Sequence, residues 1–177
     1  EMNVRYIMVM ILGFCIVNCE MHAINNVTLD NGKGQCKTKS LVIGISHYLD
    51  PDIPDMQLPH RDAELFAGFL RSQTGYDLND DNLKLLTNNN ATAAQVASSM
   101  DWLIDGMDSN DTCVLYFSGY GYEYGQKQLL PSKLYFYDTP LNVHNAGAYD
   151  VFNQFVTIAG RRKINFKLFA NLYPLIL

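Results

Sequence analysis

The feature that most restricts the fold of this sequence is a run of five apolar residues at positions 113–117. The run follows an Asp-Thr pair and leads into Ser118-Gly119-Tyr120-Gly121, which is typical of a fully buried strand that ends in a tight, glycine-permitted turn. Strands buried on both faces belong to parallel sheets covered by helices. Functional sites of such sheets lie just beyond the carboxyl ends of the strands, so we expect the chemistry at residues 118–123.

Strand and helix patterns alternate along the rest of the chain. Further strands are predicted at residues 40–45, 82–86 and 164–169. Helices are predicted between them, at residues 61–72, from Thr92 to Gly106, and at residues 149–159 with Gly160 as the stop. This order predicts the α/β class, as a three-layer sandwich with a mostly parallel sheet.

The first two predicted helices each have one apolar face. The inward residues of the first are expected to be Ala63, Phe66, Ala67 and Leu70. The second opens with a capping box from Thr92 to Gln95, and its inward residues are expected to be Val96, Met100, Leu103 and Ile104. The segment that contains Pro51, Pro54 and Pro59 is predicted to be a loop.

The amino-terminal part of the sequence resembles a targeting segment. Arg5 precedes an apolar run at residues 6–17, and Asn18-Cys19-Glu20 follows it, which favours a signal peptide over residues 1–19. An uncleaved anchor and an artefact of the start codon are the alternatives, and the artefact would leave the protein in the cytoplasm. The run is too short to span a bilayer comfortably. We therefore predict a secreted or secretory-pathway protein that is not held in a membrane after the signal is removed.

The domain plan that follows has three parts. After the signal peptide, residues 20–38 lack apolar periodicity and are predicted to be a flexible linker or pro-segment. Residues 39–177 form the folded domain. Three N-x-S/T triplets, at Asn26, Asn90 and Asn110, are compatible with secretion, although such triplets also arise by chance.

Charge and cysteine content exclude several classes of function. The net charge of −5 over 177 residues gives no electrostatic basis for a nucleic-acid partner. Without residues 1–19, two cysteines remain, which is too few for a disulfide framework. Cys113 is expected to be a core side chain rather than a nucleophile, and Cys36 a free thiol or an intermolecular partner. No Cys/His spacing is typical of zinc, so no metal or other cofactor is predicted.

Residues 116–121, Tyr-Phe-Ser-Gly-Tyr-Gly, resemble the Tyr-Phe-Ser-Gly-His-Gly motif of the caspase and metacaspase cysteine endopeptidases. Residues 44–48 are similar to the Gly-Ile-Asn-x-Tyr at the end of the first strand of that family, and residues 125–131 to its Gly-x-x-Tyr-Leu-Leu-Pro segment. Asp62 matches the aspartate of its Asn-Asp-Ala pattern. Over residues 39–170, the resemblance implies the caspase-haemoglobinase type of fold, with the large-subunit domain C-terminally incomplete.

The same resemblance implies that the catalytic dyad is not intact. Tyr120 occupies the position of the general-base histidine, and a phenol, with a pKa of about 10 against about 6.5 for imidazole, is a poor base near neutral pH. The nucleophilic cysteine of the family follows the fourth strand, in Asp-x-Cys-x-Gly, and residues 169–177 contain no counterpart. Gly119 and Gly121 match, and the backbone N–H of Gly121 corresponds to the oxyanion donor.

The remaining candidate residues have weaker roles. Ser118 and Asp62 support the motif, and Asp62 is also explained as a first-turn acid favoured by the helix dipole. His47 and Cys113 are expected at opposite ends of the sheet and so form no replacement dyad. His60 and His144 are expected to be solvated loop histidines.

Two functions remain open at this point. The first is a catalytically dead or truncated caspase-like domain that binds a peptide or protein, including a caspase-like homologue as dimer partner. The second is a genuine cysteine endopeptidase represented by an incomplete sequence. A small α/β binding domain with a coincidental motif is a third possibility. An open sheet edge predicts that the chain is dimeric or aggregation-prone.

Overall fold

The computed structural model describes residues 36–122, 133–141 and 157–173. The helices are α1 (Pro59–Arg71) and α2 (Ala93–Ile104), with a 3₁₀ turn at Asn88–Asn90 and helical backbone at residues 157–161. The strands are β1 (Thr38–Gly44), β2 (Leu83–Thr87), β3 (Thr112–Tyr122), β4 (Lys133–Leu134) and β5 (Asn165–Tyr173). These elements belong to one compact unit, Lys37–Leu177.

The sheet is built around β3. Strands β2, β1, β3 and β5 lie side by side and are all parallel, and β4 pairs antiparallel with the end of β3. On one side, β3 aligns with β1 from Thr112 opposite Thr38 to Ser118 opposite Gly44. On the other side, β3 aligns with β5 up to Tyr120, which lies opposite Tyr173. The predicted α/β class with a parallel sheet is confirmed.

Two hydrophobic clusters lie on opposite faces of the sheet. Alternate residues of β1 separate into them, because successive side chains of a strand point to opposite faces. Leu41 and Ile43 join the larger cluster, which contains the buried face of α2, and Val42 joins the smaller one with the buried face of α1. The inward helix residues expected from the sequence are buried, except that Phe66 is half-buried and stacks on Tyr116 with ring centroids 4.5 Å apart.

The start of α1 differs from the prediction. The helix begins at Pro59 rather than at Arg61, so Pro59 is not part of a loop. A proline is favoured at the first position of a helix, because its missing N–H would have no partner there and its φ already suits the helix. His60 is therefore a helical residue and not a loop histidine. At α2 the predicted cap is confirmed, since the Thr92 side chain accepts a hydrogen bond from the Gln95 amide at 3.3 Å.

The end of β3 also differs from the prediction. Residues 118–121, expected to form a turn, are still strand, and β5 likewise extends to Tyr173 rather than stopping at Phe169. The two strands pair with each other up to this point and β4 pairs with the next residues of β3, so the backbone hydrogen bonds of a ladder remain available. Gly160 lies within the helical segment, and the chain reverses at Lys163, which has a φ of 56°.

Several predictions concern segments outside the described residues. These are the signal peptide, most of the linker with Asn26, the segment at residues 125–131, His144, and the first eight residues of the predicted helix at 149–159. In the part of the chain that the structure does describe, no helix combines the length and the apolar character needed to cross a membrane.

Gly44 is the point of closest approach between β1 and α1, and it generates a first prediction. A Cβ at this position would lie 2.4 Å from the Pro59 carbonyl oxygen and 2.5 Å from the Ala63 Cβ. Because backbone cannot move aside cheaply, we expect Gly44→Ala to lower the free energy of unfolding by about 1–3 kcal/mol in urea denaturation.

Gly68 supplies the matched control for this substitution. It lies within α1, and a Cβ there would meet nothing within 4 Å. Gly68→Ala should raise the free energy of unfolding by about 0.5–1 kcal/mol, because alanine loses less backbone entropy in a helix. Equal effects of the two substitutions would contradict the packing argument.

Candidate functional site

The candidate site lies at the carboxyl edge of the parallel sheet, where β1, β3 and β5 end. Beyond Gly44 the chain continues through Ser46, His47 and Tyr48 before it turns toward α1. Tyr120 lies near the end of β3, and Tyr173 is the last residue of β5. The parallel topology therefore brings residues from three distant parts of the sequence to one edge, as the sheet rule predicts.

Tyr120, which the sequence motif aligns with the general base of the family, is held by contacts with Tyr48. Its side chain is only 8% exposed, and its amide donates a hydrogen bond of 2.9 Å to the Tyr48 hydroxyl. The two rings lie 5.4 Å apart between centroids. Burial raises the pKa of Tyr120 and the Asp55 carboxylate raises it further, while burial also raises the pKa of Tyr48. Both phenols are protonated at neutral pH.

The two glycines beside Tyr120 lie in different surroundings. A Cβ on Gly119 would lie 3.0 Å from the Tyr48 hydroxyl and 3.1 Å from the Cζ of Phe117, so the close approach of Tyr48 favours glycine there. Gly121 lies opposite Leu134 in the antiparallel pair of β3 and β4. Both glycines are in strand conformation rather than in a turn, and Ser118 beside them is fully buried.

Two neighbouring histidines each have an oxygen atom close to their Nδ1. His47 Nδ1 is 2.9 Å from Asp55 Oδ2, and both of these side chains are more than half exposed. His60 Nδ1 is 2.7 Å from the hydroxyl of the buried Ser46, which also accepts the backbone N–H of His60. The ring centroids of the two histidines are 6.3 Å apart. The prediction that His60 is a solvated histidine without a partner is therefore wrong.

Asn88 holds the chain segment that carries these histidines. Its side-chain oxygen accepts hydrogen bonds from the amides of Ser46 at 2.8 Å and His47 at 3.2 Å. Asn88 itself has a φ of 46°, a left-handed conformation that asparagine tolerates better than most residues. No local pattern in the sequence indicates the role of Asn88, because the amide of Ser46 that it binds is 42 residues away in the chain.

Asp62 links α1 to the end of β5. The Asn171 side chain donates a hydrogen bond to Asp62 at 3.2 Å and another to the Tyr173 hydroxyl at 3.2 Å. Asn171 lies opposite Ser118 in the ladder of β3 and β5. Asp62 therefore lies at the same edge as Ser118, and it makes a tertiary contact in addition to its place in the first turn of α1.

The two described cysteines lie away from this edge. Cys113 is near the start of β3, opposite Lys39 in β1, and its thiol donates to the Leu103 carbonyl at 3.3 Å. Burial raises the pKa of Cys113 to about 11, so the group is a protonated core thiol, as expected. Cys36 is exposed and precedes β1. Among residues 36–122, 133–141 and 157–173, no group of three or more His, Cys, Asp and Glu side chains could hold a metal ion.

Comparison with known proteins agrees with this geometry. The family model of the caspase domain, peptidase family C14, matches residues 37–166, and the chain belongs to the caspase domain family. The crystal structure of protein GSU0716 from Geobacter sulfurreducens is similar, with a TM-score of 0.56 at 17% identity, over 77% of this chain and 50% of that one. This similarity supports the caspase-like α/β fold, and the chain spans half the length of that structure. No curated protein sequence matches.

The hydrogen bond between Tyr120 and Tyr48 can be tested by removing one hydroxyl. Tyr48→Phe would leave the Tyr120 amide buried without its acceptor, so we expect the free energy of unfolding to fall by about 1–3 kcal/mol. Tyr76→Phe is the control, because the lysine that donates to Tyr76 can turn to water and the loss should stay within about 0.5 kcal/mol. Similar losses in urea denaturation would contradict a buried, structural role for Tyr48.

The raised pKa of Tyr116 predicts that the stability of the fold depends on pH in the alkaline range. Burial, and then the Asp62 carboxylate, raises the pKa of Tyr116 to about 12, above the value of 10.0 expected in an unfolded chain. The folded state therefore holds this proton more tightly than the unfolded state does. Its contribution to stability is complete below about pH 10 and is lost as the pH rises toward about 12.

Two variants separate this effect from other alkaline titrations. Tyr116→Phe should lose less unfolding free energy than the wild type between about pH 9 and about pH 11.5. Asp62→Asn should lower the pKa of Tyr116, measured by the ultraviolet absorbance of tyrosinate, because it removes a neighbouring negative charge. The idea fails if wild type and Tyr116→Phe lose stability equally over this range.

Proposed function

We propose that this chain is a caspase domain without peptidase activity, which acts by binding a peptide or protein partner. The observation that carries the proposal is the state of Tyr120. A general base has to accept a proton within hydrogen-bond reach at the working pH. Tyr120 occupies the base position as a buried phenol whose pKa is raised above its ordinary value.

The neighbouring histidines do not replace this base in the proposal. The Nδ1 of His47 faces Asp55 and that of His60 faces Ser46. Such contacts leave Nε2 as the ring atom that could act as a base, so whether either histidine replaces the base depends on the nucleophile. A thiol nucleophile would have to lie beside either ring to be activated. Cys113 is at the opposite end of β3 as a buried, protonated thiol, which argues against a substitute dyad built from the described residues.

The position facing the base also lacks a nucleophile. In the ladder of β3 and β5, the residue opposite Tyr120 is Tyr173, and β5 contains no cysteine. Two tyrosines thus occupy adjacent strand ends at the edge where the family carries its dyad. This pair supports an inactive site more strongly than the single substitution at Tyr120 does.

The polar groups at the carboxyl edge of the sheet are suited to binding a peptide. Parallel strands end here beside α1, and the exposed polar side chains of His47, Asp55 and Asn171 lie on the segments that follow or end these strands. An extended peptide could be held by such groups and by backbone N–H donors without being cleaved. A caspase-like homologue is one candidate for such a partner.

Peptide turnover by the purified full chain tests the proposal directly. We expect no cleavage of a diverse fluorogenic peptide library, with an active member of the family as the positive control. Tyr120→His should also remain inactive, because a histidine alone supplies no thiolate, and Tyr120→Phe is the matched variant without a base. Turnover by the wild type that a thiol-alkylating reagent abolishes would overturn the proposal.

Binding needs its own measurement, since inactivity alone does not establish it. Peptides selected from a random library on the wild type should bind Asn171→Ala and His47→Ala at least 10-fold more weakly, as expected for the loss of about 1.4 kcal/mol per contact. Asp80→Ala, at an exposed aspartate that pairs with Arg71, is the control and should bind normally. If all three variants bind the peptides equally well, the binding site does not include His47 or Asn171.

A genuine cysteine endopeptidase is the second candidate, favoured by the glycines at positions 119 and 121 and by the coverage of half of the similar structure. The 3′ sequence of the transcript, read from cellular RNA, separates the two candidates. A continuation into Asp-x-Cys-x-Gly would favour the peptidase, and Tyr120→His in that longer chain should then raise the rate by about 10²- to 10⁴-fold. A stop codon after Leu177 would favour the binding role.

A further inference from the structure

Two of the three N-x-S/T triplets of this chain lie in surface turns of the folded domain. Asn90 is the last residue of the 3₁₀ turn Asn88–Asn90, and Asn110 lies in the connection between α2 and β3. Both side chains are exposed, and among the described residues neither carboxamide makes a hydrogen bond. A triplet that arises by chance can equally fall within a strand or a buried helix face, where the folded chain has no room for a glycan.

We propose that the chain enters the secretory pathway and carries N-linked oligosaccharides on Asn90 and Asn110. The route is supplied by Arg5 and the apolar run at residues 6–17, which have the pattern of a signal peptide. A glycan is bulky and strongly solvated, so it requires a surface loop or turn, and both positions provide one. This inference does not depend on whether the domain cleaves peptides.

The modification is a transfer from a lipid diphosphate oligosaccharide. A bond forms between the side-chain nitrogen of the asparagine and the anomeric carbon of the sugar, and the bond from that carbon to the diphosphate oxygen breaks. The diphosphate leaves with the bonding electron pair, and the amide nitrogen gives up one proton. No oxidant or reductant is involved, and the lipid-linked donor is the only co-reactant.

The threonines of both triplets indicate when this transfer takes place. In the folded chain, the Thr92 hydroxyl accepts the Gln95 amide and the Thr112 hydroxyl accepts the Asn165 side chain. Thr112 is also buried in β3. Since the triplet is recognised through an accessible hydroxyl, the glycans are added before the domain folds, during entry into the pathway.

The two glycans would lie at different distances from the candidate site. Asn88, which bonds the amides of Ser46 and His47, is two residues from Asn90, a backbone distance of about 8 Å at most. A glycan on Asn90 therefore borders the carboxyl edge of the sheet. Asn110 precedes the first residue of β3, at the opposite edge, and a glycan there lies far from the site.

The test is expression of the full chain in insect cells. All variants carry Asn26→Gln, so that any glycan found at a triplet is on Asn90 or Asn110. We expect an N-glycosidase to lower the apparent mass, and Asn90→Gln and Asn110→Gln each to remove one glycan. Thr92→Ser, which keeps the triplet, should keep the glycan. A chain that stays in the cytosol, or is secreted with no glycan on either residue, overturns the proposal, and a glycan missing from one overturns it for that residue.

One further measurement uses the wild type and so needs no variant, and a second locates the Asn90 glycan on the folded single-glycan variants. Mass spectrometry of the glycosidase-treated wild type should find aspartate at positions 90 and 110, because the enzyme converts the glycosylated amide to a carboxylate. Diethyl pyrocarbonate should modify His47, which is 55% exposed, more slowly when only Asn90 carries a glycan than when only Asn110 does. Equal rates would show that the Asn90 glycan does not border the site.

Discussion

The pairing of β3 on both of its sides is the interaction on which the rest of this domain depends. Over its first seven residues the strand is aligned with β1 and β5 together, and its last residues pair with β4. Helices cover both faces, so the side chains of β3 pack into two separate hydrophobic clusters. The run at residues 113–117 is apolar, because burial on both faces of the sheet makes an unpaired polar group costly.

The same strand pairing determines which residues lie together at the carboxyl edge of the sheet. Because β1, β3 and β5 are parallel and in register, their carboxyl ends meet, and this brings Tyr48, Tyr120 and Tyr173 to one edge of the sheet. The Tyr48 hydroxyl accepts the Tyr120 amide and passes so close to Gly119 that a larger residue would be crowded. The glycine of the motif therefore has a packing role here, whatever its role in an active peptidase.

Charged and polar groups lie near these tyrosines. His47 pairs with Asp55, and the Asn171 side chain donates to Asp62 and to the Tyr173 hydroxyl. Asp55 raises the pKa of Tyr120 and Asp62 that of Tyr116, so the carboxylates reinforce the protonated state of the buried phenols. An edge of this kind has groups that can hold a ligand, but its tyrosines are poor proton acceptors near neutral pH.

The sequence by itself determined the fold class, the order of the four parallel strands and of α1 and α2, and most of the buried faces of these helices, but it did not indicate the short strand β4. These properties depend on local periodicity and on short motifs, which a single segment carries. Only the tertiary structure decided that His60 bonds to Ser46, that Asp55 faces His47, that Asn88 holds both amides, and that β3 continues as strand through Tyr122. Each of these depends on segments distant in sequence, because the length of a strand and the partner of a side chain are set by what packs beside them.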